Sequence, residues 1–457
     1  MAECCRDFTR TQLLHSAAVQ AGHGLPAIEP GMPTPAGTGL SRRSFIARGA
    51  GMALAVYGAN RIGLSQFQEG IASAASGSQG RVLVTIFLPG GCDGMSVLAP
   101  TGDSLYSQLR PTLAIDPATG TPFSEDSRLR WSPAAAGLST LHGEGKVSAF
   151  PAIGYDHPDQ SHFTSRHFWE VGALDTGARY GWLGRYLDAT GTDDNPLQGL
   201  SLDGDLSPAL AAARVPVAAV DKPEDFTFWS YGIGDPVQDR WMDAFGQLGR
   251  LGTSDPVTAG ARKVAAEVDA VRRQLAPFAT PDGQPNYHSP VPYPDSQLAQ
   301  RLAGLAAMLA AGLPLRCVAV NGEGGYDTHS NQTGDLPRDL QATCDAVLAF
   351  QRDLEARGLG DRVLTTMWSE FGRRPEENGS GTDHGAAGAA FVIGSKARGQ
   401  MSGEFPGLAQ LDDEDNLRAT SDFRGLYCSL LEQWFNFDAA QVIPGASSFT
   451  RPALVKP

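Results

Sequence analysis

Imidazoles and carboxylates recur together in four short segments of this chain. Gly90-Gly91-Cys92-Asp93-Gly94 carries one acid in a glycine-rich setting. Asp159-Gln160-Ser161-His162-Phe163 adds a hydroxyl and a histidine. Gly324-Gly325-Tyr326-Asp327-Thr328-His329 places an acid and an imidazole one residue apart. Ser369-Glu370-Phe371-Gly372-Arg373-Arg374 is followed closely by Thr382-Asp383-His384-Gly385. Carboxylate plus imidazole is a ligand set for zinc, manganese or a similar divalent ion. Glycines beside the acids let the backbone approach such an ion. A serine opening a helix can be a nucleophile activated by a metal, and an arginine can hold an anionic group by a forked contact. Each segment also has a plainer reading. Asp93 suits a tight turn, Ser161 an ordinary N-cap, Asp327 and His329 a turn acid with a surface histidine, and Arg373 and Arg374 a solvated basic pair.

For these residues to meet, the chain must bring distant loops to one place. Residues 81–88, 146–153, 315–320, 362–368 and 389–393 are continuous apolar runs of strand length, and most end in one of the polar segments. Such runs bounded by glycine suggest strands buried on both faces, as in parallel sheets. Helical patterns at 296–311, 336–357 and 421–435 lie between or after them. The alternation predicts an α/β fold with a mostly parallel sheet flanked by helices. In such a sheet ligands bind outside the carboxyl ends of the strands. Residues from about 200 to 295 show little periodicity beyond a helix at 255–275, and read as an inserted cap over the core.

The N-terminal 75 residues read as an export address. Ser41-Arg42-Arg43-Ser44-Phe45-Ile46 precedes a weakly apolar stretch and then the small residues Ala72-Ser73-Ala74. Basic, apolar, small is the order of a secretory signal, and the paired arginines make it resemble a twin-arginine signal. Arg48 and Arg61 interrupt the stretch, which argues against a stable membrane span. Met32 lies at a more usual distance before the arginines than Met1 does. The expected compartment is periplasmic, cell-surface or extracellular, reached through the twin-arginine export machinery as a folded domain at 76–457.

Composition removes other classes. Lys+Arg total 36 against 50 Asp+Glu, a net charge of -14 with no basic cluster, which disfavours a nucleic-acid partner. The 54 glycines and 31 prolines stay below the share that marks low complexity. Cys92, Cys317, Cys344 and Cys428 show no C-x-x-C spacing, so no zinc ribbon or redox pair is indicated.

The order of motifs, from the twin arginines through L-P-G-G-C-D-G, S-H-F…W-E-V-G and G-G-Y-D-T-H-S-N-Q to S-E-F-G-R-R-P-E-E-N-G-S-G-T-D-H-G, resembles the secreted bacterial DUF1501 family over nearly all of the chain after residue 41. That family is grouped with the alkaline phosphatase and sulfatase superfamily. The resemblance implies an alkaline phosphatase-like core with one or two divalent ions (zinc, manganese or calcium) at the strand ends, acting on a small anionic ester. By position, Asp93 resembles the first-strand acid of that superfamily, Ser161 its nucleophile, Asp327 and His329 its later metal pair, and Asp383 and His384 its Asp-His pair. Two departures stand out. The spacing is Asp-x-His rather than Asp-x-x-x-His, and no histidine follows His384, so Glu370 or Asp422 would substitute, or the site would hold a single ion or be degenerate.

The expected chemistry follows. Asp93, Asp383 and His384 hold an ion, Asp327 and His329 hold a second or complete the first, and Glu370 is a spare ligand. Ser161 or a bound water attacks a phosphate or sulfate ester. Arg373 neutralises the developing charge, and His162 protonates the leaving group. A secreted binding protein on the same scaffold is the alternative. A metal-free serine hydrolase is a third, although no G-x-S-x-G elbow supports it.

Overall fold

In a computed structural model, residues 80–226 and 235–457 are described, together with a two-residue strand, β1, at Val56–Tyr57. The twin-arginine segment at 41–46 and the small residues at 72–74 lie outside the described residues. Each long apolar run becomes a strand. These are β2 (Val82–Phe87), β3 (Val147–Gly154), β6 (Cys317–Asn321), β7 (Val363–Trp368) and β10 (Gly388–Ile393). Two three-residue strands, β4 (Gly199–Ser201) and β5 (Val217–Ala219), and the short β11 (Ser421–Asp422) complete a nine-stranded sheet among the described residues. Its order is β1-β5-β4-β6-β2-β7-β10-β3-β11.

Five of its eight pairings are parallel; β1 with β5, β7 with β10, and β10 with β3 are antiparallel. Two successive antiparallel pairings restore direction. β3 therefore runs with β7 and β2 and delivers its carboxyl end to the same edge.

Successive side chains of a strand point to opposite faces. Along β2, Val82, Val84 and Ile86 enter one core and Leu83 and Phe87 the other. The first core also holds residues of helices α1 (Ala136–Gly143), α6 (Gln297–Ala310) and α7 (Gln332–Ala356). The second holds those of α2 (His162–Val171), α3 (Trp182–Thr190) and α8 (Phe423–Ser429). Covered on both sides, the central strands have no solvated face, which is why they read as unbroken apolar runs rather than alternating ones.

The segment read as a cap begins inside the sheet, since β4 and β5 pair into it. They are too short to leave a periodic signal. The rest of the segment carries α4 (Asp235–Gly249) and α5 (Pro256–Leu275), which pack on each other. Cys92, Cys317, Cys344 and Cys428 are buried as small core residues, and among the described residues none is paired. Among the described residues no helix is long and apolar enough to cross a membrane.

Candidate metal centre

The loops leaving β2, β3, β6 and β7 meet at the carboxyl edge of the sheet. The loop after β2 makes a tight turn in which Gly90 has φ +117° and Gly91 φ +73°. A Cβ at Gly90 would collide with the backbone nitrogen of Asp327. Glycine is required here because two ligand-bearing loops touch. A two-stranded ribbon, β8 (Arg373–Glu377) with β9 (Thr382–His384), carries the last segment, and Arg373 pairs with His384 in its register. Its strands are short and polar and show no period in the sequence.

Asp327 is the centre of the cluster. Its Oδ1 lies 3.3 Å from His329 Nε2 and 3.4 Å from His384 Nε2, and its Oδ2 lies 3.5 Å from His162 Nε2. The Nε2 atoms of His329 and His384 are 3.0 Å apart. Ligand atoms of His162, Asp327 and His384 all fall within 4.8 Å of one another. His162 and His384 are fully buried, while Asp327 and His329 open to solvent on one side, with side chains 19% and 24% exposed.

The opposite ring nitrogen of each histidine is held by an acceptor. His162 Nδ1 meets Glu370 Oε1 at 2.8 Å, His329 Nδ1 meets Asp383 Oδ1 at 3.0 Å, and His384 Nδ1 meets the carbonyl of Gln160 at 2.8 Å. A carboxylate or carbonyl can only accept, so each Nδ1 carries the proton. In the neutral ring the lone pair is then on Nε2, and all three Nε2 atoms face the Asp327 carboxylate. A set of this kind could accommodate a cation. Imidazoles backed by carboxylate or carbonyl groups are the usual support of metal-ligating histidines. The ligand atoms of His162, Asp327 and His384 lie close enough together to fit around one ion.

Protonation behaviour agrees. Burial, helped by the Arg373 cation, lowers the pKa of His384 to about 4. Burial and Arg373 also lower that of His329. Both rings are therefore neutral at pH 7. Glu370, also penalised by burial, is held low mainly by His162.

Several expected roles change. Asp93 does not join the cluster. It is fully buried and forms an ion pair with the equally buried Arg110; its Oδ2 also accepts from Ser96 Oγ, and from Gln332 Nε2 at 2.7 Å. Glu370 and Asp383 stand behind imidazoles rather than facing the centre. His162 faces the centre instead of a leaving group, since Glu370 and Asp327 engage its two nitrogens. Arg373 is buried and donates to the carbonyls of Gly90, Gly91 and Thr382 and to Asp327 Oδ1 at 2.6 Å. It orients Asp327. Asp422 caps α8 and binds Arg424.

Ser161 sits between Gln160, whose carbonyl holds His384, and His162. It occupies the N-cap of α2, where a serine hydroxyl ordinarily accepts a backbone N–H. Here it makes no such bond, and Oγ is buried with no hydrogen-bond partner among the described residues. The helix start leaves the hydroxyl at the positive end of the helix dipole. Gln160 and Gln332 lie within quoted motifs without an expected role, and Arg110 lies outside them, because a lone arginine or glutamine and a backbone carbonyl leave no chemical signature in sequence.

Fold and site together define an α/β protein with an imidazole–carboxylate cluster at the carboxyl edge of its sheet. The chain belongs to the DUF1501 family, described as "Protein of unknown function", whose model matches residues 151–427. No curated protein matches it in sequence. Among solved structures, Ps i-CgsB is similar at 9% identity and a TM-score of 0.36, over 80% of this chain and 74% of that one. The phosphoethanolamine transferase EptA of Neisseria meningitidis gives 11% and 0.35 over 87% and 61%. The PsFucS1 sulfatase from Pseudoalteromonas sp. gives 10% and 0.31 over 85% and 78%. Likenesses this distant assign no residue and no activity.

Proposed function

We propose that the protein is an exported, metal-dependent hydrolase of phosphate or sulfate esters. The observation that carries this reading is the convergence of three Nδ1-anchored imidazoles on the Asp327 carboxylate. His162, Asp327 and His384 would hold the ion, with His329 beside them. An imidazole-rich set suits zinc or a similar first-row ion better than calcium. When bound, such an ion lowers the pKa of a nearby hydroxyl and offsets the negative charge of an ester.

Ser161 is the nucleophile in this proposal. Its Oγ forms a bond to the phosphorus or sulfur, the bond to the leaving oxygen breaks, and the serine proton ends on the released alcohol. Water then cleaves the serine ester and regenerates the hydroxyl. The unpartnered Ser161 Oγ supports this, because a buried hydroxyl without a bond costs free energy. Glu370, Asp383 and the Gln160 carbonyl keep the imidazoles in the ligating tautomer, and Arg373 holds Asp327. Export through the twin-arginine machinery belongs to the same reading and is supported by the motif at 41–46.

Ser161→Ala tests it. The variant is expected to take up zinc and melt as the parent does, while turnover of an aryl phosphate or aryl sulfate falls at least about a thousandfold. Zinc uptake with no turnover on a broad ester panel would favour the binding protein instead. Activity that survives a chelator would overturn the metal dependence.

A further inference from the structure

Gln332 closes the motif G-G-Y-D-T-H-S-N-Q and plays no part in the chemistry above. It opens α7 with only 2% of its surface exposed, and both ends of its amide are engaged. Oε1 accepts from Thr328 Oγ1 at 3.0 Å and from Thr382 Oγ1 at 2.7 Å. Nε2 donates to Asp93 Oδ2 at 2.7 Å and to Ser96 Oγ at 3.3 Å. Thr328 lies between Asp327 and His329, and Thr382 immediately precedes Asp383 and His384. One buried carboxamide therefore holds both ligand loops.

The backbone reinforces the link. Thr382 N donates to the Thr328 carbonyl at 3.1 Å, and Gln332 N to the Ser380 carbonyl at 2.9 Å. Asp93, the other end of the tie, is fixed by Arg110. Arg110 in turn donates to the carbonyls of Pro375 and Arg374 at 2.9 Å, on the strand that carries Arg373. The circuit runs from the first strand end to the Asp327 loop and the Asp383–His384 strand, and closes on β8. Every side chain in it is buried.

We propose that Gln332 is a positioning residue that sets the separation of Asp327 and His329 from His384. This rests on the metal reading given under the proposed function. Outer residues that orient metal ligands typically change metal affinity by about 10- to 100-fold when removed. Without the amide, both threonine hydroxyls lose their shared acceptor and are free to turn, so the ligand loops drift apart.

The test uses cobalt(II) as the probe, followed by calorimetry and by the visible absorption of the bound ion, with Gln332→Met, Thr382→Val and Thr382→Ser in the full chain. Gln332→Met and Thr382→Val are expected to bind cobalt about 10- to 100-fold more weakly, with a shifted visible spectrum. Thr382→Ser keeps the hydroxyl and is expected to restore both. The threonine pair carries the test if Gln332→Met fails to fold. Wild-type affinity and spectrum in Thr382→Val, or in a folded Gln332→Met, overturn the positioning role, even if melting temperatures fall. A parent protein that takes up no cobalt overturns the metal reading and this inference with it.

Discussion

Exchanging Asp327 for asparagine is expected to lower the affinity for zinc by about a hundredfold or more, and ester turnover with it. Asp327 is the one side chain that all three Nε2 atoms face, at 3.3 to 3.5 Å. Losses of about 10- to 100-fold follow from removing groups that merely orient ligands, so removing the central ligand should cost at least as much. Asparagine keeps the shape and an acceptor for Arg373, so the protein should still fold. Calorimetric titration of the metal-free variant against the parent measures the change. An unchanged affinity would mean that the cluster is an ionic lock within the protein and holds no metal.

The second large effect concerns Asp93. Replacing Arg110 by methionine is expected to destabilise the protein by about 3–5 kcal/mol, the usual result of stripping one partner from a buried ion pair. Both side chains are wholly buried. Burial alone would raise the Asp93 pKa, yet Arg110 holds it below the ordinary carboxylate value. The variant would strand that carboxylate with only neutral donors nearby. Denaturant unfolding of the metal-free protein measures the loss, and added zinc should restore only what ordinary binding linkage gives the parent. If Arg110→Met were as stable as the parent, or gained a second zinc beside Asp93, the carboxylate would be a metal ligand after all.

That contrast shows where sequence reading stops. The strands β2, β3, β6, β7 and β10 were legible, because a strand covered on both faces must be apolar throughout. β2, β3, β6 and β7 run the same way and β10 runs against them, so the ends of β6 and β7 and the start of β10 bring Asp327, His329, Glu370, Asp383 and His384 to one edge. Which acid faces the centre was not legible. Glu370 and Asp383 differ from Asp327 only in the direction of their side chains, and that is set by packing across the loops. Asp93 carries the right chemistry at the right strand end, but Arg110, 17 residues along the chain, reaches it first. His162, expected as a proton donor, instead faces Asp327 for a similar reason: α2 begins where the buried Glu370 fixes one ring nitrogen and turns the other towards Asp327. The strands β4 and β5 and the ribbon β8–β9 were missed because three to five residues cannot show a period.

The measurement that bears most directly on this account is anomalous diffraction from crystals of the zinc-loaded protein. The expected result is one peak per chain, bounded by the Asp327 carboxylate and His384 Nε2, with His162 on the buried side and His329 on the solvent side. A protein exposed to saturating zinc that shows no peak there, or shows one only beside Asp93, would contradict it.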